Sequence, residues 1–217
     1  MTTTSFDAVL FDFGGVFTPS PFEAADELNS DSSLESGRLR ELIFGPYDRD
    51  TDHPWHCLER GEITLAEARG RIIALGQAEG VDTDPFRLFR RMSRDRGEGP
   101  RDAFVERARA LRGAGYRTGL VTNNAREFRD GWRRSLPIDE LFDVVVDSSE
   151  VGVRKPDRRI FELALEGLDG IAAARAVFVD DHPGNVRAAE RLGMRGVVVD
   201  PDPSDALRAL DTLLTRT

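Results

Sequence analysis

The sequence predicts an α/β fold: a doubly wound parallel sheet carrying an inserted α-helical domain. Three observations predict it. Short, continuous apolar runs recur along the chain, helical patterns alternate with the later ones, and a long stretch without a convincing strand separates the first run from the second. A continuous apolar run of this length suits a strand buried on both faces. Strand alternating with helix requires a parallel sheet with right-handed crossovers.

The elements follow in order. Ala8–Phe11 is the first run. Between Thr18 and Pro100 the chain reads as helices around Glu23–Leu28, Gly37–Ile43, Leu65–Ala78 and Phe86–Ser93. Thr64 and Glu67 make a capping box for the third of these. Turn-rich linkers separate them at Gly45-Pro46, Asp52-His53-Pro54 and Gly97-Glu98-Gly99-Pro100. Arg101–Arg112 repeats apolar residues at helical spacing and stops at Gly113. Tyr116–Val121, Val144–Val146, Ala176–Val179 and Gly196–Val199 are the later runs. The helices between and after them are Asp157–Glu166, with Pro156 suited to a first turn, Gly184–Leu192, and Ser204–Leu214 with Ser204 as its N-cap. The domain boundaries expected are residues 1–17 plus 101–217 for the α/β core and 18–100 for the helical insertion.

Composition excludes several classes. The 217 residues are 40% hydrophobic and 32% charged, which is ordinary for a globular chain. A net charge of −9 repels phosphate backbones and anionic surfaces, so no nucleic acid and no membrane is expected as a partner. No apolar run approaches the roughly 20 residues of a membrane helix. Met1 to Phe6 has no basic region ahead of its short apolar run, which argues against a signal peptide, and the single cysteine, Cys57, cannot form an internal disulfide. The expectation is a cytoplasmic protein, monomer or homodimer. The 30 basic residues comprise 29 arginines and one lysine, Lys155. A GC-rich genome, which favours arginine codons, explains the bias; a site that needs a compact ammonium explains the exception.

In an open parallel sheet, ligands bind outside the carboxyl ends of the strands. There stand Asp12-Phe13-Gly14-Gly15 after the first run, Thr122-Asn123-Asn124 after the second, Arg154-Lys155-Pro156 beyond the third, Asp180-Asp181-His182 after the fourth and Asp200-Pro201 after the fifth. Each alone is ordinary turn chemistry; in this order they converge on one edge. Like charges about 4 Å apart repel by about 4 kcal/mol at an effective dielectric of 20, and one lysine offsets only part of that. Either a carboxyl takes a proton or a divalent cation sits there, and an all-oxygen site suits Mg²⁺. His53, His56 and Cys57 lie close together, but no second cluster completes a zinc site. The acidic Asp48–Asp52 stretch reads as a solvated loop.

These motifs resemble the haloacid dehalogenase superfamily over nearly the whole chain. Ala8–Val16 is similar to its first motif, Gly119–Asn123 to the second, Val153–Asp157 to the third, and Val177–Asp181 with Asn185-Val186 to the fourth. The resemblance implies a Rossmann-like core with a helical cap between the first and second motifs. Pro54-Trp55-His56 to Glu62 resembles the cap of phosphatases related to the N-terminal domain of soluble epoxide hydrolase. It also implies roles. Asp12 would attack phosphorus and form an aspartyl-phosphate. Asp12, the Gly14 carbonyl and Asp181 would hold Mg²⁺, with Asp180 in support. Thr122 and Asn123 would hold phosphate oxygens, Lys155 would neutralise nucleophile and phosphate, and Asn185 would orient the metal's surroundings. The implied activity is a phosphatase acting on small phosphate monoesters, and the implied partner a small phosphorylated metabolite.

One position departs from the pattern. Two residues after the nucleophile, where most members carry an acid–base Asp, this chain has Gly14. His182, His53 or His56 could substitute, all three lying in segments next to the proposed site; the alternative is that they are ordinary loop or capping residues. Two other readings stay open: a 2-haloacid dehalogenase, against which the Asp180-Asp181 pair argues, and a catalytically impaired binding protein, which Gly14 motivates. The sequence leaves the substrate open among sugar phosphates, nucleotides, acyl phosphates and phosphorylated lipid fragments. Phe22, Tyr47 and Trp55 could pack an apolar substrate face or the cap's own core, and Arg49 faces solvent or a second anion.

Overall fold

The computed structural model describes residues 6–30, 35–94 and 101–215; residues 1–5 and the Gly97–Pro100 linker lie outside them. Five strands form one all-parallel sheet: β1 (Ala8–Phe11), β2 (Arg117–Thr122), β3 (Val144–Asp147), β4 (Ala176–Asp180) and β5 (Arg195–Val198), ordered β3-β2-β1-β4-β5. β1 is therefore the central strand, with β2 and β4 on its flanks. Its residues alternate between two apolar layers. Val9 and Phe11 enter one, and Ala8 and Leu10 enter the other.

The helices cover both layers. Between β1 and β2 run α1 (Pro21–Ser30), α2 (Arg38–Phe44), α3 (Pro54–Glu59), α4 (Leu65–Ala78), α5 (Pro85–Arg94) and α6 (Arg101–Gly113). After β2 come α7 (Arg129–Arg133) and α8 (Ile138–Leu141); after β3, α9 (Ser148–Val151) and α10 (Arg158–Gly167); then α11 (Pro183–Leu192) and α12 (Pro203–Leu214). Phe104, Ala108 and Leu111 of α6 pack with Ala206, Leu210 and Leu214 of α12 on the Val9–Phe11 face. Ile160, Phe161 and Ala164 of α10 pack with Ala188 and Ala189 of α11 on the other. Phe11, Phe17, Phe104 and Phe142 meet edge to face or tilted at 5.7–6.5 Å between centroids. Fully burying each such ring is worth about 1.5–3 kcal/mol, so the end of β1 is anchored directly below Asp12.

Helices α1 to α5 gather round an apolar cluster of their own, built on Ile43, Phe44, Trp55, Leu58 and Ile72, which Ala125 joins from the segment after β2. The Thr64–Glu67 capping box is present at the start of α4. Three local expectations differ from the structure. Asp52-His53-Pro54 is not a plain linker: His53 caps α3 and Pro54 opens it, because a proline's missing N–H costs nothing in a first turn. Asp202, not Ser204, caps α12, accepting from the Ser204 N–H at 2.9 Å with Pro203 at the first helical position. Pro156 precedes α10, whose cap is Asp157. No helix among the described residues is long and apolar enough to cross a membrane.

Candidate active site

The strand ends converge on Lys155. Its Nζ stands 2.7 Å from Asp12 Oδ1 and 2.7 Å from Asp180 Oδ2, at 1% residual exposure. Asp12 continues β1 by donating its N–H to the Val179 carbonyl at 2.8 Å, and its own Oδ1 accepts from the Phe13 N–H at 2.7 Å. Asp180 is held from three sides: by Lys155, by the His182 N–H at 2.7 Å and by Asn185 Nδ2 at 3.1 and 3.2 Å. Asp181 takes a 2.5 Å hydrogen bond from Ser20 Oγ. The three aspartates each offer an oxygen within 4.8 Å of the others. Gly15 lets them close: its φ is +72°, and a Cβ there would lie 2.1 Å from Asp181 Oδ2.

Burial pushes the Asp12 carboxyl well above the usual range; Lys155 holds it back, and Asp180 and Asp181 add to the rise. Burial and Asp180 push Asp181 up to about 7, against the pull of Ser20 and Lys155. Burial opposes the charge on Lys155, but Asp12 and Asp180 outweigh it and raise its pKa. Three carboxylates thus face one ammonium. At 4.8 Å and an effective dielectric of 20, each uncompensated pair repels by about 3–4 kcal/mol. The residues fit a divalent cation on two counts. Their donor set is oxygen throughout, and Asn185 Oδ1 is buried at the same place without a hydrogen-bond partner.

Thr122 ends β2, buried at 1% exposure beside this cluster. Asn123 is committed to Lys155: its Oδ1 accepts from the Lys155 N–H at 2.8 Å and its Nδ2 donates to the Lys155 carbonyl at 3.0 Å. The cluster forms the floor of a cavity of about 180 Å³, which Thr122, Asn123, Gly14 and Asn185 also line. Phe22 and Trp55 both line this cavity and belong to the apolar cluster of the inserted helices, so they serve both of the uses the sequence allows.

His182 is tied to the site through its backbone, but no histidine ring reaches into it. None lines the cavity. His182 Nδ1 caps α11 by accepting from the Gly184 N–H, and His53 Nδ1 accepts from the Trp55 N–H at the start of α3. His56 is fully buried, with Nδ1 at 2.9 Å from Thr51 Oγ1. Burial lowers all three, His53 to about 4 and His56 to about 3. Asp200 is exposed and outside the carboxylate group, and the Arg49 side chain is 66% exposed. The Asp48–Asp52 stretch is not wholly solvated, since Asp50 Oδ1 reaches Arg60 at 2.5 Å and the buried Arg154 at 3.4 Å.

Sequence reading misses some of the polar groups that the inserted segment sends to this edge. Ser20 is one. Glu59 is another: it lines the cavity and accepts from Tyr47 Oη at 2.6 Å, Trp55 Nε1 at 2.8 Å and Arg154 Nε at 2.6 Å. Arg154 sits over the Tyr47 ring at 4.6 Å. Only a tertiary arrangement brings these residues together. The one hint in the sequence is that Arg154 adjoins Lys155.

A family profile described as haloacid dehalogenase-like hydrolase matches residues 6–193. A mouse protein named acyl-CoA dehydrogenase family member 10 is 31% identical over 214 residues; the match takes in 97% of this chain but only 19% of that protein. A sesquiterpene phosphatase of Aspergillus oryzae is 30% identical over 205 residues, covering 89% of this chain and 90% of its own. Among solved structures, a haloacid dehalogenase family enzyme of Bacteroides thetaiotaomicron in complex with magnesium and inorganic phosphate superposes with a TM-score of 0.57 at 19% identity, covering 91% of this chain and 96% of that one.

Proposed function

The chain belongs to the haloacid dehalogenase-like hydrolases, and on that premise we propose that it is a Mg²⁺-dependent phosphatase acting on small phosphate monoesters through Asp12. The observation that carries the reading is Lys155 bridging Asp12 and Asp180 while Asp181 faces the same cavity. The similarity to a sesquiterpene phosphatase along nearly its full length supports it, as does the magnesium and phosphate bound by the Bacteroides enzyme. In this reading residues 18–100 are a cap over a core of residues 1–17 plus 101–217.

Asp12, Asp181 and the Gly14 carbonyl would hold the ion, with Asn185 and Asp180 behind them. When bound, the ion supplies positive charge against the phosphoryl oxygens and the carboxylates. A carboxylate oxygen of Asp12 attacks phosphorus, the P–O ester bond breaks, and the alcohol leaves with the bonding electron pair. Water then attacks the phosphorus of the aspartyl-phosphate, releasing inorganic phosphate and restoring Asp12. Lys155 offsets part of the burial that disfavours an ionised Asp12, and it meets the charge that builds on the phosphoryl group. Asp180 and Asn123 hold Lys155 in place. Thr122 donates to a phosphoryl oxygen. Gly14 offers no acid, so the leaving alcohol takes its proton from solvent.

The test is hydrolysis of p-nitrophenyl phosphate by EDTA-stripped protein as Mg²⁺ is added back, with Asp12→Asn alongside. Release that rises with Mg²⁺ and disappears in the variant is the expected result. Turnover of 2-chloropropionate without metal would replace the proposal with the dehalogenase reading. Mg²⁺ binding with no turnover of either compound would replace it with that of a binding protein.

A further inference from the structure

The cavity has two chemically different ends. Its polar end is the carboxylate–lysine cluster with Thr122, Asn123 and Asn185. Away from that end the walls are Phe22, Phe44, Trp55, Phe89, Met92 and Phe128. Most polar groups among these walls already have partners within the chain, Thr18 Oγ1 with the Pro19 carbonyl at 3.3 Å among them. Glu59 accepts from three donors, Tyr47 Oη donates to Glu59, and Asn124 Oδ1 accepts from the Ala125 N–H at 2.9 Å. Lys155 is the one cationic side chain among the lining residues described, and it is engaged by Asp12 and Asp180. A sugar's hydroxyls, a nucleotide's further phosphates or an amino acid's charged ends would lose water here and find few partners in exchange. Each such unpaired group weakens binding by roughly tenfold or more.

We infer, resting on the phosphatase reading above, that the substrate is the phosphate monoester of an apolar alcohol, aliphatic or aromatic. At 10–15 Å³ per water, a cavity of about 180 Å³ corresponds to roughly a dozen waters. That accommodates a phosphoryl group and an organic group of about ten non-hydrogen atoms. Phe89 of α5 and Phe128, from the segment after β2, meet edge to face at 5.2 Å, so the apolar wall is shared by the inserted helices and the sheet domain.

Phosphonates test this without bond cleavage, so leaving-group chemistry does not enter. Octylphosphonate, methylphosphonate and a phosphonate of octyl length bearing several hydroxyls are compared as inhibitors of p-nitrophenyl phosphate turnover with Mg²⁺ present. Each buried methylene adds about fourfold to affinity, so the octyl compound should bind at least about 100-fold more tightly than the methyl one. The hydroxylated chain should lose most of that gain. Met92→Gln should narrow the octyl-to-methyl ratio by about tenfold. Equal inhibition by the octyl and methyl compounds, or tightest binding by the hydroxylated chain, overturns the inference and leaves the phosphatase reading standing. If p-nitrophenyl phosphate is not turned over, that reading fails by itself, and titration calorimetry of the same compounds onto Mg²⁺-loaded protein still decides the chain preference.

Discussion

At the scale of single residues, Lys155 and Gly14 define what the site can and cannot do. Lys155 has two oxygens at 2.7 Å and the Phe178 ring 5.5 Å away. A point charge fits there; a planar guanidinium with its five donors does not. That is the physical content of one lysine among 29 arginines. Gly14 has the opposite character, since nothing about its surroundings demands glycine. A Cβ there would meet only Pro21 Cδ, at 3.7 Å, which is ordinary contact. Room therefore exists for the missing acid, and Gly14→Asp should raise kcat on alkyl phosphates by about 100-fold, the usual contribution of a general acid. On acetyl phosphate, whose leaving group needs no proton, the same substitution should change kcat by less than about threefold. Steady-state rates on both substrates check this, and an equal gain on both would mean that the new carboxylate acts otherwise than as a proton donor. The core's half of the site was legible from sequence because each member follows a strand end. Ser20 and Glu59 were not, because their arrival at the same edge depends on how the inserted helices pack.

At the scale of elements, the strands were legible as runs because all five belong to one all-parallel sheet whose inner strands β1, β2 and β4 are almost wholly buried. The long helices were legible from their period. Helix α3 was not. Its six residues are too few for a period, and Asp52-His53-Pro54 has the composition of a turn. Yet α3 carries Trp55 and Glu59 to the cavity, and its two histidines give it a pH signature. His53 has a pKa of about 4 in the folded protein and His56 about 3, because burial disfavours their charged forms. In the unfolded chain both return to about 6.5. Below pH 6.5 the unfolded state therefore takes up protons that the folded state does not, and stability falls as pH falls from 6.5 toward 4. Asp12 and Asp181, raised in the folded state, act in the opposite sense, so the histidine effect must be read by difference. His53→Asn keeps an N-cap acceptor and removes the titration. Between pH 7 and pH 5 the stability of the variant relative to the parent should rise by about 1 kcal/mol, a figure already discounted for the partial exposure of His53. Urea midpoints at the two pH values measure it, and parallel profiles would mean that His53 is not held neutral.

At the scale of the whole molecule, the inserted helices are tied to the sheet domain by charge as well as by apolar contact. Arg154 is fully buried, and its Nε meets Glu59 Oε2 at 2.6 Å across 95 positions of sequence. Its Nη2 has no hydrogen-bond partner, so the pair holds position at some cost in desolvation rather than as an optimised bond. Arg154 also precedes Lys155, so whatever fixes the inserted helices fixes the Lys155 ammonium as well. Removing one partner strands a buried charge, whereas removing both strands none. Arg154→Met should therefore lower stability by about 3 kcal/mol, and Glu59→Met by a similar amount, while the double variant should lose less than either single one. Denaturant midpoints of the four proteins give the coupling energy. In the stable double variant kcat on p-nitrophenyl phosphate should still fall at least tenfold, because Lys155 then lacks the neighbour that fixes its loop. Additive stability losses with unchanged kcat in the double variant would show that Arg154 and Glu59 neither act as a unit nor position the site.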